Sequence, residues 1–166
     1  MNMKKGITIQ PFLFIMALVV MAFVIIFGIK SVNDVRETAD LTELAIFYKD
    51  LENKINVYSQ FDIGSSGSVS FGLPSHIERI CFANPNMAPT TPIPDELFKS
   101  VIETNTKNTV YILPLDAYAQ SSFAITRLYV DPREHPLCIP TRGQLTVELE
   151  TAAINNGVFV QVKRPS

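Results

Sequence analysis

From Phe12 to Ile29 the chain runs 18 residues without a charged or strongly polar side chain. Wound as a helix, that run is about 27 Å long, close to the ~30 Å hydrocarbon thickness of a bilayer. No other feature restricts the fold so tightly, because a helix that is apolar on every face has no side to turn toward water. A cleavable secretion signal has an apolar region of only about 7 to 15 residues, followed by a small-x-small site. Here the run ends in Phe27-Gly28-Ile29-Lys30 with no such site after it. The expectation is a retained transmembrane helix over 7–29, behind a basic leader or cytoplasmic N-terminus at 1–6.

Orientation follows from the flanking cations. Lys4, Lys5 and the α-amino group precede the span, and Lys30 and Arg36 follow it among Asp34, Glu37 and Asp40. Because acids contribute little to this rule, the two sides differ only by the terminal amine. The expected arrangement is N-terminus cytoplasmic and C-terminal part extracytoplasmic, with the lipid bilayer as the first partner.

The helix is expected to continue past the span. From Ser31 to Phe61 there is neither Pro nor Gly, and Leu41, Leu44, Tyr48, Leu51, Ile55 and Tyr58 recur at helical spacing. They form one apolar stripe on a segment, 30–60, whose other faces carry acids and lysines. Two uses compete: a coiled-coil dimer seam, or packing on the chain's own downstream domain. The second is favoured, since tyrosines lie in the seam and no charge code flanks it. Pro11 suits the first turn, so one rod of roughly 70 Å is expected from Pro11 to about Tyr58.

Residues 61–166 read as a head of mainly antiparallel β structure, which makes the fold class α+β. Gly64 to Gly67 reads as a flexible connection, followed by alternation over Ser68–Leu73. Further strands are expected at Ile77–Phe82, Thr109–Leu113, Ile125–Val130, Gln144–Glu150 and Val158–Val162, the last two joined by an Asn156-Gly157 hairpin signal. "NPNMAPTTPIP" is a proline-rich loop feeding a short helix over Asp95–Glu103, with Leu97, Phe98, Val101 and Ile102 inward.

The head carries eight Lys and Arg against ten Asp and Glu, and the first 60 residues carry six of each. That balance argues against nucleic acid as a partner. Cys81 and Cys138 are the only cysteines, and in a domain outside the cytoplasm they form a candidate disulfide. Zinc is the competing reading, since His76 and His135 lie nearby in sequence; their spacing matches no known finger, and the disulfide is favoured. Both histidines read as surface or turn residues, and "DPREHP" as a solvated loop. Tyr111, Tyr118, Tyr129 and Phe123 suit a carbohydrate or partner surface, or more simply the core. No G-x-S-x-G elbow, phosphate-binding glycine loop or H-E-x-x-H is present. The sequence therefore offers no catalytic residue, cofactor, metal ligand or small-molecule substrate.

Two lysines and Gly6, then about 20 apolar residues passing into an amphipathic helix and a β-rich head, resemble the type IV pilin family, particularly archaeal pilin-like proteins with class III signal peptides. The resemblance implies cleavage by a prepilin peptidase between Gly6 and Ile7, and packing of the apolar helix in a filament core or its retention in the membrane. Many members carry Glu at the fifth position after the cut, where this chain has Pro11. The expected function is a membrane-anchored structural or interaction protein that associates with itself or with envelope proteins. The alternative is a single-span scaffold holding the head near the membrane without forming filaments.

Overall fold

The structure is a computed structural model that describes residues 10–85, 87–93, 96–104, 107–115, 121–154 and 157–165; side chains at 10, 11, 33, 34, 36 and 37 stand outside the description. Among the described residues the order is α1 (Gln10–Tyr58), β1 (Ser66–Gly72), β2 (Arg79–Phe82), α2 (Glu96–Glu103), β3 (Val110–Leu113), β4 (Ser122–Phe123), β5 (Leu128–Tyr129), a 3-10 turn (Pro132–Glu134), β6 (Leu137–Pro140), β7 (Gln144–Ile154) and β8 (Gly157–Lys163). The fold is α+β with mainly antiparallel sheets, as the sequence suggests. α1 is 49 residues long and holds Pro11 in its first turn, where the missing N–H costs nothing. The chain divides into two compact units, Met1–Asp40 and Leu41–Ser166.

In the second unit the last turns of α1 are a wall of the core. Leu44, Phe47, Leu51 and Ile55 are buried, with Tyr48 and Tyr58 half-buried beside them. Each fully buried side chain of this size contributes roughly 1.5–3 kcal/mol by leaving water. The stripe thus packs on the chain's own sheets rather than in a dimer seam. Leu41 is the exception at 46% exposed, and Phe47 joins the stripe although the spacing picks its neighbour Tyr48.

Two four-stranded sheets face this helix, ordered β1-β7-β8-β5 and β4-β3-β2-β6. In the first, β1 runs antiparallel to β7 with Val69 opposite Val147, and β7 runs antiparallel to β8 with Thr151 opposite Val160. The two-residue β5 joins β8 in parallel. Alternation along β7 is regular: Leu145, Val147, Leu149 and Thr151 point inward, while Thr146, Glu148 and Glu150 lie between them half-exposed. Register pairs Ile154 with Gly157, so Gly157 opens β8 rather than sitting in the hairpin loop. Asn156 lies outside the described residues.

The second sheet is covered on both faces. Ile80, Phe82, Val110 and Ile112 enter the main core, whereas Cys81, Tyr111 and Leu113 enter a smaller cluster with Phe98 of α2. β3, "VYIL", is buried at all four positions. In α2, Phe98 is buried, Val101 and Ile102 pack partly against the cluster, and Leu97 points away at 53% exposed. Asp95 lies outside the described residues.

Several expected strands shift. Ile77 precedes β2 in a turn, its N–H donating to the Pro74 carbonyl. Of the 125–130 run only Leu128–Tyr129 forms a ladder, and β6 forms within the strand-like, apolar "HPLCIPT" around Cys138. Ser66 and Gly67 are rungs of β1 rather than a flexible linker. Gly67 is small for a packing reason: a Cβ there would collide with the Tyr58 hydroxyl. The turn itself uses Gly64 at φ +90°, a conformation that suits glycine.

The C-terminal end of α1 is tied to the first sheet. A helix end leaves carbonyls without intrahelical partners. The buried Thr151 Oγ1 donates to the Tyr58 carbonyl at 2.8 Å, and the Ser59 hydroxyl donates to the Asn56 carbonyl at 2.8 Å. Arg127, at φ +65°, donates through Nη1 to Ser59 Oγ at 2.9 Å. α1 has no basic residue in its own last turn, so Arg127 supplies the cation that complements the negative end of the helix dipole.

Candidate functional site

The largest chemical feature is the surface of the first unit. Phe12–Val32 is a 21-residue helical stretch of mean hydropathy 3.1, with none of it buried within the chain. Phe23 and Phe27 stack one turn apart at 6.1 Å, which leaves every face of the cylinder apolar. It is the one helix among the described residues long and apolar enough to cross a membrane. A hydrocarbon environment satisfies such a helix because all its backbone groups bond internally. Gly6 and Ile7, the candidate processing site, lie outside the described residues.

In the head, Cys81 and Cys138 form a disulfide between directly opposite residues of β2 and β6. Both sulfurs are consumed in the bond, so neither is a thiolate ligand and the Cys₂His₂ zinc reading fails. Among the described residues no group of three or more His, Cys, Asp or Glu is placed to hold a metal ion.

The aromatic residues separate by location. Tyr111 is buried in the smaller cluster with Phe98, and Phe123 is buried in the main core apart from an edge that lines a groove beside α1. Tyr129 is half-exposed and lies 6.5 Å from the Phe159 ring. Tyr118 lies outside the described residues.

Three surface depressions stand out among the described residues. An apolar groove of about 240 Å³ lies between α1 and the second sheet, lined by Leu41, Leu44, Ala45, Tyr48, Ile112 and Phe123. Another, of about 330 Å³, runs beside edge strand β1, with Asp50, Lys54 and Val57 on its helical wall. The third, about 400 Å³, is charged and includes Asp131, Arg133, Glu134, Lys163 and Arg164. At its edge Lys163 donates to the Glu150 carboxylate, and that bond raises the ammonium pKa above its ordinary value.

His76 is exposed, as expected of a turn histidine. His135 is not: it is fully buried, and neither ring nitrogen has a hydrogen-bond partner among the described residues. Burial pushes its pKa below the ordinary value, and the backbone of Asn84 and Ala88 beside it only partly offsets this. The sequence conceals that burial, because His135 is flanked by charged residues and proline. Its neighbours come from a proline-rich stretch more than 40 residues earlier in the chain, where Asn84, Ala88, Thr90 and Thr91 lie beside it.

Comparison with protein-family models, with curated proteins and with solved structures finds no match for this chain.

Proposed function

We propose that the chain is a membrane-anchored extracytoplasmic structural or interaction protein, organised as a pilin-like subunit. One observation carries the reading: a 21-residue apolar helix stretch, nowhere buried by the chain itself, lies in the same helix as the wall of a folded head. A surface of that kind is stable only in lipid or against copies of itself. The disulfide supports a head outside the cytoplasm, where oxidised cysteines persist. Lys4 and Lys5 ahead of the span support a cytoplasmic N-terminus. In this arrangement the apolar half of α1 anchors the subunit or packs in a filament core, and the head presents its surface to partners.

Intact-mass analysis of protein isolated from its native membrane tests the reading. A chain beginning at Ile7 is expected. Retention of Met1 to Gly6 rules out pilin-type processing and leaves the plain envelope anchor. Two free thiols in unreduced protein would remove the disulfide and its support for an extracytoplasmic head.

A further inference from the structure

The segment 83–93 is fastened to residues 130–136 by a dense set of bonds with His135 at its centre. Thr90 and Thr91 N–H groups donate to the His135 carbonyl at 2.7 and 3.0 Å. The His135 N–H donates to Thr90 Oγ1 at 3.2 Å, and that hydroxyl donates to the Pro132 carbonyl at 2.6 Å. Thr91 Oγ1 donates to the Pro136 carbonyl at 2.9 Å. At the other end Asn84 clamps Val130 twice, donating to its carbonyl at 2.7 Å and accepting its N–H at 2.9 Å. The backbone of His135 is thus the hub of the closure, while its imidazole is sealed beneath with both nitrogens unpartnered among the described residues.

We propose that His135 is an acid-operated latch for the 83–93 segment: neutral, it lies sealed under the closed segment, and protonated, it drives the segment off residues 130–136. A buried imidazolium with no counter-charge is costly, and opening to water is the least expensive relief. No counter-charge is available from the covering element, since residues 83–93 contain no acid and no base. On the histidine's own segment the Asp131 carboxylate accepts from the Arg133 N–H, while Arg133 and Glu134 are exposed. Cys81 and Cys138 are bonded to each other and do not titrate. Opening hands Val130 and His135, both fully buried when closed, to solvent. The head would then present a different surface in an acid exterior than in a neutral one.

The sign is fixed by linkage. The open state binds a proton at about the ordinary histidine pKa of 6.5 and the closed state only at lower pH. Closure is therefore undiminished above pH ~6.5 and weakens by up to tenfold per pH unit below it, until the lowered value is reached.

Hydrogen–deuterium exchange on the full-length protein in bilayers reads this directly through the Thr90 and Thr91 amides, with intrinsic exchange divided out. Their protection is expected to be constant from pH 8 to about 6.5 and to fall below it. His135→Leu should make the profile flat, and His76→Gln should leave it unchanged. Constant protection in the wild type down to pH 4.5 overturns the proposal, as does a pH profile that survives in His135→Leu or disappears in His76→Gln. Should His135→Leu fail to fold, NMR titration of the wild-type His135 ring decides instead. A midpoint below the ordinary value that coincides with the loss of amide protection supports the latch; a midpoint at or above it, or titration without loss of protection, refutes it.

Discussion

At the scale of single residues, Phe47 concentrates the most structural consequence. Its ring meets Phe71 of β1 edge-on at 5.6 Å and Phe123 of β4 at 6.1 Å, so one side chain joins α1 to both sheets. Phe47→Ala should lower the unfolding free energy by about 3–5 kcal/mol, the usual cost of emptying an aromatic site in a packed core. Denaturant titration of the variant in detergent checks this; a loss under about 1 kcal/mol would mean the helix is not wedged between the sheets. The sequence makes Leu44, Leu51 and Ile55 legible because they repeat at helical spacing, yet it passes over Phe47 in favour of Tyr48. A period of 3.6 places both on one stripe, and only the position of the sheets decides which goes deeper. His135 was illegible for a different reason: its burial depends on bonds to Thr90 and Thr91, and no local pattern reports a partner that distant.

At the scale of elements, local pattern succeeds where one face of an element meets water. β7 alternates between core and surface and is found where expected, while β3 is apolar on both faces and is recognisable only as a short run. β5 and β6 lie in strand-like sequence, but pairing sets their extent and register. β5 is two residues in parallel with β8, and β6 is placed by its register against β2. That second pairing puts Cys81 opposite Cys138 at a separation of 57 residues. Closing a loop of that length should stabilise the head by about 4 kcal/mol in the chain-entropy model. The Cys81→Ala, Cys138→Ala double variant should accordingly unfold at lower denaturant while keeping its strand signal in circular dichroism. An unchanged midpoint would show that the bond adds nothing to the ladder already joining β2 and β6.

At the scale of the whole molecule, the main question is whether the apolar cylinder is held by lipid, and magnitudes determine which variant can test it. Phe12–Val32 contains fourteen Leu, Ile, Phe and Val residues, together worth roughly 4–8 kcal/mol on insertion scales. One lysine near the centre costs about 3 kcal/mol, too little to reverse that sum. Val20→Lys alone should therefore stay in the membrane fraction. Val20→Lys combined with Val24→Lys costs about 6 kcal/mol and also removes two favourable residues, which takes the balance to near or beyond zero. The double variant should fail to float with lipid on a density gradient, where an aggregate sediments and an inserted protein rises. Ser31→Lys, just before the end of the stretch, should float like the wild type because a terminal lysine reaches the headgroups. A double variant that floats as well as the wild type would mean that something other than burial of this helix in lipid holds the chain at the membrane.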